Sequence, residues 1–264
     1  MDASVPTLAV NVWGEGPPVS FVHGLGASSR YWDTLRRHSR GYRGTAVDLV
    51  GFGASPKPED GPYDVDFHLT ALDPHVPSDA VVVAHSTGAI MAVALAARRP
   101  VRGLLLLGLP AYENPAMARH EIGRLGPLAR WTVERRPIAR ALCTAMCRLR
   151  PLAMLAAPYY ARDVPPSVAV DGLQHTWNSY HRTLIRVVVE HPVLPDLLDL
   201  EGTPVVVLQG RADRTAPPEH VERLRDRGAP IDVRVVDGDH HLALRRPEVV
   251  AGTLAELLAT TGWG

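Results

Sequence analysis

The sequence predicts an α/β protein: a parallel sheet covered on both faces by helices. Three observations carry this. Short apolar, β-branched runs recur along the chain, helical-period stretches separate them, and several of the runs empty into loops rich in glycine, proline and aspartate. Such alternation means βαβ units, whose crossover helices lie on the faces of the sheet. At 264 residues the chain can bury a substantial core, as one large domain or two small ones.

Thr7 to Trp13 alternates weakly and predicts an edge strand, closed by Gly14-Glu15-Gly16-Pro17-Pro18. Val19-Ser20-Phe21-Val22 predicts a buried strand that runs straight into His23-Gly24-Leu25-Gly26. Ser28-Ser29 can cap a helix starting near Ser29, where Tyr31, Trp32 and Leu35 fall at helical spacing. Thr45-Ala46-Val47 is the next strand and opens into the turn-rich loop from Asp48 to Pro56. Ala80-Val81-Val82-Val83 predicts another buried strand, and the Ala/Leu-rich stretch from Ala89 to Ala97 a helix. Val101 to Leu107 is again an apolar strand.

From about Pro110 to Leu200 the rhythm breaks. Amphipathic, Arg-rich segments divided by Pro127, Pro137, Pro151, Pro158, Pro165-Pro166, Pro192 and Pro195 predict a helical insertion without strands. At Pro204 the alternation resumes: strand Val205 to Leu208, helix Pro218 to Arg227, strand Ile231 to Val236, and a last helix from Pro247 to Ala259.

Composition bounds the function classes. Twenty-eight basic and 28 acidic residues balance, which offers no reason to expect nucleic acid or an anionic membrane as partner. Lys57 is the only lysine, and the arginines read as solvated faces rather than a phosphate-binding patch. The two cysteines, Cys143 and Cys147, are four apart in a helical stretch, an arrangement that suits free thiols better than a disulfide. With no basic-plus-apolar leader and no apolar run of membrane-spanning length, a soluble cytoplasmic protein is expected.

The chain is organised around Ala84-His85-Ser86-Thr87-Gly88, between a predicted strand and a predicted helix. A serine among small residues at a strand-to-helix junction is the context of a nucleophile elbow. The turn is sharp, so the residues two before and two after must be small, and the helix N-terminus favours a developing anion. Two later strand ends carry further chemistry. Asp213 lies in Gln209-Gly210-Arg211-Ala212-Asp213, where an acid can orient a histidine, or be an ordinary turn aspartate paired with Arg214. Asp237-Gly238-Asp239-His240-His241 offers His240 or His241. Serine, acid and histidine come in that order, each at the C-terminal end of a strand, where open α/β sheets gather their ligands.

These features resemble the α/β-hydrolase superfamily over essentially everything except the insertion. The residues that carry the resemblance are His23-Gly24-Leu25-Gly26 with Trp32, Asp48 to Ser55, the elbow at Ser86, Gly210-Arg211-Ala212-Asp213 with Pro217, and Gly238-Asp239-His240 with Pro247. The resemblance implies an eight-stranded, mostly parallel sheet with a helical cap inserted after the sixth strand. Residues 1–109 and 201–264 would form the core and 110–200 the cap. The family's spacing from histidine to the following proline favours His240 over His241. Arg245 stands where the family often has an acid, and Ala84 where it has glycine; neither touches the triad.

The implied mechanism has Ser86 attacking an acyl carbonyl, His240 taking its proton and passing it to the leaving group, and Asp213 holding the imidazole. Two backbone N–H groups would hold the oxyanion: Thr87, from the helix N-terminus, and Leu25, which resembles the family's second donor. A serine argues against the dehalogenase and epoxide-hydrolase chemistry that similar folds perform with aspartate. His23 and Asp48 read as structural, shaping the oxyanion loop and bracing the turn from Gly51 to Ser55. His85 either touches the pocket or packs. No metal-ligand spacing and no glycine-rich dinucleotide fingerprint is present, so neither metal nor cofactor is expected.

The expected function is hydrolysis of a small or medium, moderately apolar ester, thioester or lactone. An acyltransferase, cyclase or carbon–carbon hydrolase on the same triad is the alternative, and a hydrolase-like binding protein is the third class. The partner is a small acyl substrate, with neither nucleic acid nor membrane; monomer and homodimer stay open. Within the insertion, His175-Thr176-Trp177-Asn178-Ser179-Tyr180-His181 departs from the Arg/Ala/Leu background. Trp177, Tyr180 and His181 share a face if helical, and they either line the substrate pocket or seat the insertion on the core.

Overall fold

The computed structural model describes residues 6–38, 40–134, 137–160, 164–200 and 202–263. Seven strands form one sheet: β1 (Val10–Trp13), β2 (Pro18–Val22), β3 (Arg43–Val47), β4 (Val81–His85), β5 (Gly103–Leu107), β6 (Val205–Gly210) and β7 (Asp232–Val236). Their order is β1-β3-β2-β4-β5-β6-β7. Only β1 runs antiparallel, pairing Val10 with Val47 and Trp13 with Gly44; all other pairings are parallel.

The alternation of side chains along the central strands builds two cores. Val82, Ala84, Leu104, Leu106 and Val207 face one layer, with Ile90, Met91 and Val93 of the helix Thr87–Arg98. Val81, Val83, Leu105, Leu107 and Leu208 face the other, against Trp32, Leu35, Leu254 and Leu257. Because β4 and β5 are buried on both faces, they are continuous apolar runs. The serine cap is present as predicted: Ser28 Oγ accepts from the Arg30 N–H, starting the turn Ser29–Trp32 that continues into the helix Asp33–His38.

The resemblance implied eight strands with the insertion after the sixth. The sheet has seven among the described residues, the same seven runs that read as strands, and the insertion follows the fifth. The chain just before β1 is held by something other than a strand. The Ala9 N–H donates to Ser55 Oγ (2.9 Å), its carbonyl accepts from Asp48 N–H (2.9 Å), and Leu8 is buried. These bonds run to the loop after β3, on the edge of β1 that already pairs with β3.

Between β5 and β6 the described residues contain helices and no strand. The prolines that divide this stretch are largely helix starts: Pro115, Pro127, Pro137 and Pro166 each open a helix, where the missing N–H costs nothing. The helix Trp177–Thr183 begins at a capping box of Thr176 and Ser179 and runs on through Leu184–Val189 in a wider turn. Cys143 and Cys147 are free thiols on the helix Pro137–Arg148. No helix among the described residues is long and apolar enough to cross a membrane.

A crossover helix that the sequence reading passed over, Val65–Leu72, carries His68, whose Nε2 hydrogen-bonds with Thr183 Oγ1 (3.0 Å). Burial pushes the His68 imidazole down to about 3, and the neighbouring His23 adds to the shift. The folded value lies below the unfolded one near 6.5, so the unfolded chain binds the extra proton between those pH values. His68 therefore removes stability as pH falls from about 6.5 towards 3, by on the order of a few kcal/mol in full. The melting temperature is expected to drop between pH 7 and pH 4.5, and His68→Gln to lessen that drop whatever its own starting stability. An equal drop in both proteins would assign the acid sensitivity to other groups.

Candidate active site

At the end of β4 the backbone of Ser86 adopts φ 54° and ψ −122° before the helix Thr87–Arg98 begins. The Ser86 N–H still bonds to the Leu107 carbonyl (2.9 Å), so the β4–β5 ladder reaches the turn itself. Small residues around it are required by contact. A Cβ on Gly88 would lie 2.5 Å from the carbonyl oxygens of Val22 and His23, and one on Gly24 would lie 3.0 Å from Ser86 Cβ. The loop after β2 therefore passes directly against the turn. Thr87 is the first helical residue, and its N–H has no carbonyl one turn earlier to bond.

Asp213 follows β6 with its side chain fully buried. Its Oδ1 accepts the N–H groups of Thr215 and Ala216, both at 2.8 Å, and its Oδ2 accepts from His240 Nδ1 at 2.8 Å. All three donors fix the carboxylate in one orientation. With Nδ1 as donor, the tautomer follows, and His240 Nε2 is left as the basic nitrogen. Gly108, after β5, makes room for this pair: its φ is +57°, and a Cβ there would lie 2.9 Å from His240 Nδ1 and 3.3 Å from Asp213 Oδ2.

His241 lies apart from Asp213. Its ring is tilted against Tyr31 (6.1 Å) and His85 (5.7 Å), and burial pushes its imidazole down to about 4, with the neighbouring His240 adding to the shift. The geometry thus joins the carboxylate to His240, the choice the proline spacing favoured.

His85 packs. It stacks on Tyr31 at 4.5 Å, donates from Nε2 to the His240 carbonyl (2.9 Å), and does not line the cavity over Ser86. It steadies the backbone that carries His240 and is too deeply buried to protonate in the usual range. His23 is also structural: Nδ1 donates to the Gly24 carbonyl (2.7 Å) and Nε2 accepts the Leu49 N–H (2.9 Å). Asp48 accepts the N–H groups of Ser29 (2.6 Å) and Ala54 (2.7 Å), bracing the loop as expected.

Ser86, Thr87, Leu25 and His240 border one cavity of about 660 Å³. Trp177 and Tyr180 line it too. His181 does not: it stacks on the far side of Trp177 (4.7 Å) and faces a separate groove with Arg182 and Ile185. Its place one turn beyond Trp177 made it look like a pocket residue, but the wall bends between them. Two cavity residues had no sequence signal for the pocket, Tyr112, whose hydroxyl donates to the Thr215 carbonyl (2.6 Å), and Cys143; His175, which opens the segment singled out in the insertion, lines it too and packs on Tyr180 at 4.8 Å. Gln209 is a further hidden brace, accepting the Leu109 N–H (3.0 Å) and donating to the Ala216 carbonyl (2.8 Å). No group of three or more potential metal ligands occurs among the described residues.

The helices over the cavity are tied to the loop after β2 by a buried carboxylate. Asp171 accepts from Ser28 Oγ (2.5 Å), Arg30 Nε (2.8 Å), Arg30 Nη2 and Gln174 Nε2 (3.0 Å). This ion pair is bidentate and half buried, and Arg30 is five residues from Leu25.

Comparison with known proteins agrees with this architecture. The model of a family described as "Alpha/beta hydrolase family" matches residues 21–253. A probable lysophospholipase of Arabidopsis thaliana, BODYGUARD 5, is 28% identical over 276 residues, covering 92% of this chain and 62% of its own length. The chain therefore spans about three fifths of that relative, and 55% of a second, BODYGUARD 1. Among solved structures, a thermophilic esterase from Thermogutta terrifontis superposes with a TM-score of 0.70 at 22% identity, covering 96% of this chain and 93% of its own. The enol-lactonase from Burkholderia xenovorans LB400 gives 0.72 at 21% identity, covering 97% and 98%. At these identities the two structures attest the fold.

Gly108→Ala tests the built geometry. The new methyl must push His240 away from Asp213, and a displacement of about 1 Å at a reacting group costs on the order of 10²-fold in rate. The variant is expected to keep its circular dichroism spectrum while kcat on any turned-over ester falls by about that factor. An unchanged kcat would mean that His240 does not need this seat.

Proposed function

The chain belongs to the alpha/beta hydrolase family, and from that premise we propose that it cleaves ester-type bonds through an acyl-enzyme on Ser86. The observation that carries the reading is the hydrogen-bonded pair of Asp213 and His240, with His240 bordering the same cavity as Ser86. His240 Nε2 takes the Ser86 proton as Oγ attacks the acyl carbonyl. Asp213 stabilises the imidazolium that results, and the N–H groups of Leu25 and Thr87 hold the oxyanion. His240 then gives the proton to the departing alcohol, and water, activated by the same nitrogen, releases the acid.

The substrate class follows from the wall. Among the described residues no aspartate, glutamate, lysine or arginine lines the cavity, and its wall is mostly apolar, with Pro110, Ile122, Leu128, Met146, Leu184 and Val188 among the residues that form it. Such a site favours an uncharged, moderately apolar ester, thioester or lactone of small or medium size. The names of relatives, a probable lysophospholipase and an enol-lactonase, fit ester-type chemistry. Residues 110–200 act as a cap in this reading, and Trp177 and Tyr180 help select the acyl group.

A panel of p-nitrophenyl esters of graded chain length, with fluorophosphonate labelling, tests the proposal. Ser86→Ala is expected to lower kcat by at least about 10³ and to abolish labelling while the protein stays folded. His240→Ala should do the same to turnover, and His241→Ala should largely spare it. Ester hydrolysis retained by purified Ser86→Ala protein would overturn the assignment. Trp177→Ala should reorder the chain-length preference; a destabilised protein with the preference intact would make that residue packing alone.

A further inference from the structure

Two helices over the cavity turn an apolar face to solvent. Ile138 and Leu142 lie on the outer side of Pro137–Arg148 and Leu149 follows at its end, while Ala139 and Cys143 point inward and are buried. On Arg150–Tyr160, Leu152 is 65% and Leu155 73% exposed. Scattered exposed leucines need no explanation; an aligned row on adjacent helices does. The row also reaches the cavity mouth, because Leu125, Leu128 and Met146 are exposed and line the cavity at once.

Charge is segregated on the same two helices. From Pro137 to Tyr160 the sequence holds Arg140, Arg148 and Arg150 and no aspartate, glutamate or lysine. Arg150 turns inward, donating to the His175 carbonyl (2.7 Å). Arg140 and Arg148 are exposed on the polar flank of their helix, and no ion pair among the described residues involves either. Of the other exposed arginines some meet acids, as Arg98 meets Asp66 and Arg234 meets Glu256, and some, such as Arg43 and Arg214, are in no ion pair among the described residues.

We propose that the outer face of the helices Pro137–Arg148 and Arg150–Tyr160 docks on an anionic phospholipid surface, with the cavity mouth opening against it. Leucines at the acyl boundary and guanidinium groups at the phosphates are the complement such a surface offers. A second copy of the chain fits less well. A two-fold contact through this face would set Arg140 and Arg148 against the same cationic flank of the other copy. It would also cover Leu125, Leu128 and Met146 at the mouth. Docking is independent of the hydrolytic reading; if that reading holds, an ester dissolved in lipid reaches Ser86 without crossing water.

The test is co-sedimentation with vesicles of phosphatidylcholine alone and of phosphatidylcholine with phosphatidylglycerol. The protein is expected to pellet with the anionic vesicles and to be released progressively by salt. Leu152→Glu/Leu155→Glu and Arg140→Glu/Arg148→Glu should each lower partitioning by about tenfold or more. Both should keep the wild-type circular dichroism, elution volume and hydrolysis of water-soluble p-nitrophenyl acetate. No pelleting with anionic vesicles, or pelleting that the variants leave unchanged, would overturn the proposal. So would a wild-type dimer that Leu152→Glu/Leu155→Glu converts to monomer, which would make the face a contact between copies. Since partitioning is read without turnover, loss of the hydrolytic reading would leave this result standing.

Discussion

The backbone of Ser86 sits where a side chain is ordinarily excluded, at a cost on the order of 1–3 kcal/mol, and the surrounding fold must hold it there. It does so from three sides. The hydrogen bond to Leu107 fixes the residue to the β5 strand, the apolar start of the helix Thr87–Arg98 is buried without exception through Leu95, and the loop after β2 closes on it through Gly24. Replacing the small residues at these contacts with larger ones would transfer strain to Ser86 first. The cost of the conformation is thus spread over the best-packed part of the molecule, where relaxation is least available.

From that fixed point the parallel sheet sets the rest of the geometry. Parallel strands end on one edge, so the segments after β4, β6 and β7 deliver Ser86, Asp213 and His240 to one place although 127 and 27 residues separate them in turn. Side-chain braces then remove the freedom that loops would retain. Gln209 ties the chain after β5 to the chain after β6, and His85, from the strand that carries Ser86, holds the carbonyl of His240. Both braces are buried polar groups whose loss would leave a partner unsatisfied, so they define spacing as well as stability.

What the sequence disclosed and what it withheld divide along the same line. Strands buried on two faces are apolar throughout, and loops at their ends carry polar residues in a fixed order, so Ser86, Asp213 and His240 were legible from local context. The seven strands were legible too; the eighth came from family likeness and not from any apolar run in the chain. For His85 and His181 the sequence left pocket and packing both open, because a ring beside a site looks the same in sequence whether it points in or behind. His85 faces Tyr31, and His181 lies behind Trp177. Cys143, Tyr112 and Gln209 carry no motif, since their roles arise from which helix or loop the fold lays beside them.

The helices over the cavity show why a whole-chain sum can conceal the physics of a surface. Net charge of zero describes the average field, whereas attraction to a partner depends on charge within roughly 8–10 Å of the contact. The acids that balance Arg140 and Arg148 lie elsewhere in the chain. The inner side of the same helices is spent on polar anchorage: Asp171 to Ser28 and Arg30, His68 to Thr183, and Arg182 to the Gly61 carbonyl (2.6 Å). These anchors all lie on the segments from Asp171 onward. The helices Pro137–Arg148 and Arg150–Tyr160 are instead joined to the rest through His175, by Cys147 (3.3 Å) and Arg150 on its carbonyl. One half of the covering layer is therefore fastened to the loop after β2 by charge, and the other half leaves its leucines outward, so recognition at the mouth and anchorage over the cavity fall to different helices.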